Sequence, residues 1–128
     1  MSDWLALLYM LKPGTEQAVT ELFQNSGRPD HEVKDDDGNV VGRLLTTIVF
    51  VGTEAAVRVI EVEGDMRQVA GHVSRQEEVR DFERQVEQYL AVPRDLSNPE
   101  GARDFFQRWG MRNVLIRRAD DPEVAGGG

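Results

Sequence analysis

The sequence predicts an α+β chain, with one antiparallel sheet and its helices gathered on a single face. Three observations predict it. Two β-type runs, residues 40–51 and 55–63, are joined by Gly52-Thr53-Glu54 and read as a long hairpin. Helical spacing of apolar residues flanks that hairpin on both sides. Further apolar runs, residues 4–11 and 111–117, lie outside the helical stretches and read as strands.

Taken in order, residues 4–11 form a buried strand that stops at Lys12-Pro13-Gly14. Gly14 and Thr15 start a helix that lasts to about Asn25, with Ala18, Val19, Leu22 and Phe23 on one side. Asn25-Ser26-Gly27 stops it. An acid-rich loop follows, in which Asp35-Asp36-Asp37-Gly38 turns the chain into the hairpin, Gly38-Asn39 supplying positive φ. Asp65 stands three before Gln68 and caps a second helix, whose apolar side is Met66, Val69, Ala70 and Val73. After a break near residues 74–76, Val79, Phe82, Val86, Tyr89 and Leu90 mark a third helix, ended by Pro93. Asn98-Pro99-Glu100 opens a short helix through Phe105, Phe106 and Trp109, closed by Gly110. Residues 111–117 are the last strand. Residues 1–118 are thus expected as one domain, and 119–128 as a disordered acidic and glycine-rich tail.

The order β-α-β-β-α-(α)-β is the ferredoxin-like plan. The first strand is apolar on both sides: Leu5, Leu7 and Tyr9 on one, Trp4, Ala6, Leu8 and Met10 on the other. The face away from the helices therefore needs a cover, most simply a second copy of the chain. The expected assembly is a homodimer, a dimeric α+β barrel whose protomers close apolar β surfaces over a hollow for a planar guest.

A chain of 128 residues can bury roughly two thirds of its unfolded surface, enough for a core. It has no cysteine, which excludes disulfides, thiolate catalysis and cysteine-based metal centres, and fits a reducing cytoplasm. The first apolar run lacks a basic lead and is too short to span a membrane, so a cytoplasmic location is expected. With 23 acidic against 15 basic residues the net charge is −8, which argues against nucleic acid as a partner. Arg108, Arg112, Arg117 and Arg118 form a late basic cluster that reads as a solvated or ion-paired face, the alternative being an anion or partner contact.

His31 and His72 are the only imidazoles and the first acid–base candidates, each set against a plain capping or helix-flank role. They lack the spacing of a metal pair, and the aspartate run fails as a calcium loop: counting from Asp35, glycine falls at position four and position twelve is Thr46. No metal is expected. Arg58 shares a strand face with Ile60 and Val62, and Glu61 shares the other with Val57 and Val59. Arg58, Arg43 and Glu61 must each be paired, at an edge, or facing a polar cavity. An arginine in a cavity could hold a phenolate, enolate or ketone oxygen, which makes Arg58 the third catalytic candidate. The alternative is an inter-strand or inter-subunit ion pair. Tyr9 and Trp109, with Trp4, Phe50, Phe105 and Phe106, could line a pocket for a flat ligand or simply fill the core. Tyr9, Arg43, Glu61 and Trp109 are taken as substrate-binding candidates. No nucleotide, flavin or nucleophile-elbow motif is present, so chemistry without a classical cofactor is expected.

Several stretches carry a resemblance. Pro29-Asp30-His31, then Asp35-Asp36-Asp37-Gly38-Asn39-Val40-Val41-Gly42-Arg43-Leu44-Leu45, then Val57-Arg58-Val59-Ile60-Glu61-Val62-Glu63-Gly64 resemble the SchA/CurD-like family. So do residues 9–14, residues 90–100 with Pro93-Arg94-Asp95 inside, and Gly101-Ala102-Arg103-Asp104-Phe105-Phe106. The resemblance spans residues 8–119. It implies a protein of bacterial aromatic polyketide or spore-pigment gene clusters, with a dimeric barrel similar to cofactor-free polyketide monooxygenases and cyclases.

The leading expectation is a tailoring enzyme that promotes ring closure or oxygenation of a poly-β-ketone or polyphenol, with other polyketide cyclases or oxygenases as candidate partners. The second is a non-catalytic subunit that shapes product outcome. The third is a small-molecule or stress-response barrel unrelated to polyketides.

Overall fold

The computed structural model of the chain describes residues 2–120. Its elements run β1 (Ser2–Met10), α1 (Glu16–Gln24), β2 (Glu32–Lys34), β3 (Val40–Val51), β4 (Ala55–Gly64), α2 (Met66–Ser74), α3 (Glu77–Val86), α4 (Pro99–Trp109) and β5 (Gly110–Arg112). One 3-10 turn, Glu87–Tyr89, extends α3. The strands form a single antiparallel sheet in the order β2-β3-β4-β1-β5. Setting aside the short β2, this is the ferredoxin-like arrangement.

The sheet's two faces follow from the register. Leu7 stands opposite Arg58 and Tyr9 opposite Ala56, while Val49 stands opposite Arg58 and Val51 opposite Ala56. These residues face the helices. Leu7, Tyr9, Leu11 and Ala56 pack with Val19 of α1, Phe82 and Val86 of α3 and Phe105 of α4. Val33, Leu44, Ile60 and Val62 pack with Val69 of α2 in a second cluster. On the opposite face lie Trp4, Ala6, Leu8 and Met10, with Ile48, Val57, Val59 and Phe50, the last 62% exposed. Among the described residues no helix packs on that face.

Local chemistry sets the helix starts. The Asp65 carboxylate accepts from the Gln68 amide at 3.0 Å, and Asn98 Oδ1 accepts from the Gly101 amide at 2.7 Å, with Pro99 in the first turn of α4. Gly101 has a further reason to be glycine. A Cβ there would sit 1.6 Å from the Asp95 carbonyl oxygen, a backbone atom that can retreat only if its loop moves. Gly101→Ala is expected to cost about 1–3 kcal/mol, read from the urea midpoint, and to speed proteolysis of the segment between Pro93 and Asn98.

The structure departs from the sequence reading at three points. β5 ends at Arg112 instead of running to Arg117. Its ladder with β1 has three pairs, and Asn113 Oδ1 then accepts from the Leu115 amide at 2.9 Å, an Asx turn that replaces the next rungs. Val114, Leu115 and Ile116 are consequently 81%, 63% and 51% exposed. The acid-rich loop also contains β2, whose three residues are too few to show a period, paired to β3 from Glu32 opposite Arg43. The turn before β3 forms as expected around Asp35 Oδ1, which accepts from the amides of Asp37 and Asn39 at 2.9 Å each. Only Gly38 there has positive φ, at 82°, so the expectation for Asn39 does not hold. Of the tail expected to be disordered, residues 121–128 lie outside the described residues.

Candidate functional site

A cavity of about 1190 Å³ lies between the helix face of the sheet and the helices, within one chain. It is separate from the hollow expected between two protomers, which would lie against the opposite face of the sheet. The α3, 93–98 and α4 segments form one wall and strands β3 and β4 the floor, with the 26–31 loop also contributing. Its size lies at or above the upper end of ordinary small-molecule pockets.

Charged side chains gather in this apolar setting. Glu83 of α3 is the hub. Its carboxylate accepts from the Tyr9 hydroxyl at 2.9 Å, pairs with Arg58 Nη1 at 3.5 Å and is bonded by Arg94 Nη2. Arg94 Nε also reaches the two oxygens of Glu87, at 3.3 and 3.2 Å. The Arg94 side chain is only 5% exposed, and those of Arg58 and Glu83 are 15% exposed each. Aromatic faces hold both guanidiniums in place: Arg58 lies 4.8 Å from the Phe82 ring centroid and 5.4 Å from that of Phe23, and Arg94 lies 4.5 Å from Phe105 and 5.5 Å from Tyr9. Burial opposes the charge on Arg94, but Glu83 foremost, with Tyr9 and Glu87, holds its pKa above the ordinary value. One nitrogen, Arg94 Nη1, is buried with no partner among the described residues.

Burial first, and then Glu83, push the Tyr9 phenol well above its ordinary value of 10.0. A raised value means that the neutral phenol's contribution to stability is whole below pH 10.0 and is lost as the pH climbs past it. A difference titration of wild type against Tyr9→Phe is therefore expected to show no Tyr9 phenolate until the chain unfolds. Reversible ionisation of Tyr9 near its ordinary value in the folded protein would contradict this geometry.

Residues 3–118 match the family model described as the SchA/CurD like domain. The chain belongs to the SchA/CurD-like family. It is 39% identical over 121 residues to "Polyketide synthase CurD" of Streptomyces cyaneus, across 94% of this chain and 32% of that protein. Against the "42.8 kDa protein in whiE locus" of Streptomyces coelicolor the identity is 40%, across 94% of this chain and 29% of that protein. Against "Protein SchA" of Streptomyces halstedii it is 37%, across 85% and 27%. The chain thus spans about a third or less of the length of these relatives. No solved structure matches it.

Within this SchA/CurD-like domain, two of the seven residues singled out from sequence line the cavity, Arg58 and His31. Tyr9 joins them through Glu83, buried in the core below. His72 stands apart: its Nε2 lies 3.3 Å from Asp30 Oδ2 and 3.1 Å from Gln76 Nε2, which ties α2 to the loop that carries His31. Arg43 is half exposed and pairs with Glu32 at 3.3 Å and Glu63 at 3.4 Å, the inter-strand alternative weighed for it. Glu61 sits on the open sheet face, where the Ser2 and Thr46 hydroxyls donate at 2.7 Å each and hold its carboxyl below the usual range. Trp109 packs against the edge of the main core, with Arg108 over its ring at 5.4 Å.

Sequence reasoning missed Glu83, Glu87 and Arg94. Glu83 follows Phe82 directly and lies three before Val86, at the margin of the apolar stripe of α3. A carboxylate in that place, facing a strand arginine that needs a partner, was a usable signal. Arg94 was visible only as part of Pro93-Arg94-Asp95. Among the described residues no helix is long and apolar enough to cross a membrane, and no group of three or more metal-ligating side chains converges.

Proposed function

We propose that this domain acts in aromatic polyketide biosynthesis, binding a poly-β-ketone or polyphenol in its cavity and promoting ring cyclisation or cofactor-independent oxygenation. The observation that carries the proposal is the pair of stacked guanidiniums set into an apolar cavity large enough for several fused rings. Family membership and the printed name of the S. cyaneus relative support the same substrate class.

The chemistry follows from charge. A C–H between two carbonyls is acidic, and its loss leaves an enolate whose oxygen needs stabilising. Arg58 and Arg94 supply cationic N–H donors on side chains that are 15% and 5% exposed. His31, which lines the cavity, is the group to take the proton. The enolate carbon then attacks a second carbonyl carbon, and the proton returns to the new alkoxide. With a polyphenol, the same two elements hold a phenolate that can give an electron to dioxygen. Tyr9 and Glu83 position the cations. A homodimer through the open sheet face belongs to the same proposal.

Deletion of the gene, with mass analysis of the aromatic products, tests it. A product lacking one oxygen would mark oxygenation, and an isomeric or shunt skeleton would mark cyclisation. His31→Gln and Arg58→Met, each folded by circular dichroism, are expected to reproduce the deletion. Unchanged products in both would favour an accessory subunit that binds the intermediate. That second reading draws on the relatives' greater length, which leaves room elsewhere in them for the chemistry.

A further inference from the structure

We infer that His72 is a positioning residue: acting through Asp30, it fixes the backbone of His31 at the cavity wall, so that the His31 imidazole meets the ligand in one place. The inference rests on the proposed role of His31 and assigns the second histidine a separate task.

His31 needs such support because its own ring supplies none. The imidazole lines the cavity, yet among the described residues it has no hydrogen bond or ion pair. Its placement is therefore set by its backbone. That backbone ends the 26–31 loop, where Ser26, Gly27, Arg28 and Asp30 are all exposed, so packing does little to hold it.

Three contacts hold it instead. The Leu44 amide of β3 donates to the His31 carbonyl at 2.8 Å. Asp30 reaches across His31 on one side, its Oδ1 accepting from the Glu32 amide at 3.3 Å. On the other side Asp30 Oδ2 lies 3.3 Å from His72 Nε2. One carboxylate thus ties His31 to the start of β2 and to α2 together. His72 is the firm end of that tie. Its side chain is 23% exposed against 61% for Asp30, and α2 is seated through Val69 on Val33, Leu44 and Val62.

The contact has a chemical requirement. A carboxylate only accepts, so the Nε2 that serves Asp30 must carry a proton. With the proton on Nδ1 alone, Nε2 would accept from the Gln76 side-chain nitrogen, 3.1 Å away, and the tie to Asp30 would be lost. An N–H donor at position 72 is therefore what the loop depends on. A general base works only within about 3 Å of its proton, and a displacement of about 1 Å can cost on the order of a hundredfold, so His31 on a loosened loop is a weakened base.

The Leu44 amide reports the tie in the intact chain, because its acceptor is the His31 carbonyl. In His72→Leu its hydrogen exchange is expected to quicken at least about threefold. The Val69 amide, bonded to the Asp65 carbonyl at 3.0 Å in the first turn of α2, is expected to keep its rate. His72→Gln restores an N–H donor and is expected to bring the Leu44 rate back to within about twofold of wild type. Equal quickening at Val69, or no rescue by glutamine, would reduce His72 to a support for its helix and overturn the inference. Should His72→Leu not fold, Asp30→Ala removes the other half of the tie and is expected to quicken Leu44 in the same way. An unchanged Leu44 rate in the folded variant would overturn the inference and leave the cavity reading intact. In the gene's host, His72→Leu is expected to lower the aromatic product about tenfold and His72→Gln to recover it. Unchanged products from His31→Gln would remove the base itself, and with it the task assigned to His72.

Discussion

Glu83→Ala is expected to destabilise the fold by about 3–5 kcal/mol, the range found when one partner of a buried ion pair is removed. Three groups lose their acceptor at once. Arg58 is left with no close carboxylate among the described residues, Arg94 keeps only Glu87, and the Tyr9 hydroxyl is stranded in the core. The side chains concerned are 15% exposed or less, so water cannot fully replace what is lost. Urea denaturation gives the number. Two further variants separate charge from space. Glu83→Gln keeps the shape and an acceptor oxygen and is expected to lose less. A double-mutant cycle of Glu83→Ala with Arg58→Met is expected to recover part of the loss, because the second change removes the cation that the first leaves unpaired. Additive losses would mean that Arg58 and Glu83 do not depend on one another.

Phe82→Ala is expected to cost about 3–5 kcal/mol, as for other aromatic truncations in a core. Phe82 is 3% exposed and stacks with Phe23 at a centroid distance of 4.5 Å. It is also the ring nearest the Arg58 guanidinium, at 4.8 Å. The substitution therefore removes apolar burial and loosens the cation that faces the cavity. Thermal melts and urea midpoints measure the first effect. The second should appear as weaker binding of a flat aromatic probe, despite the larger hollow. Tighter binding in the variant would show that Phe82 fills space and does not orient Arg58.

The fold was legible because its signals are local. The hairpin of β3 and β4 announces itself through two long β-type runs around Gly52-Thr53-Glu54, and the structure closes it there with the Gly52 amide bonded to the Ala55 carbonyl at 2.8 Å. Asp65 and Asn98 cap α2 and α4 as their positions in the sequence imply. Where the reading failed, the deciding interaction was with something distant or very short. The end of β5 depends on the Asn113 side chain accepting from the Leu115 amide in competition with the ladder, and the apolar run through Ile116 gives no hint of it. β2 exists only because β3 offers it an edge.

The site was legible in halves. The period of a strand placed Arg58 beside Ile60 and Val62, and the cost of burying a charge required a partner for it. Nothing within β4 says that the partner is Glu83, which is 25 residues further on and brought there by the packing of α3 on the sheet. Histidine scarcity pointed to His31 and His72 alike, but only His31 reaches the cavity, while His72 is engaged with Asp30 and Gln76.

By itself, then, the sequence determined the order of the helices and of every strand but β2, the two apolar faces of β1 and the need of Arg58 for company, since periodicity, capping and desolvation act through near neighbours or through single side chains. The tertiary structure alone decided which charges meet, on which side of the sheet the cavity opens, and that one nitrogen of Arg94 has no acceptor among the described residues. Those outcomes depend on segments far apart in the chain being packed together, and no local pattern carries that information.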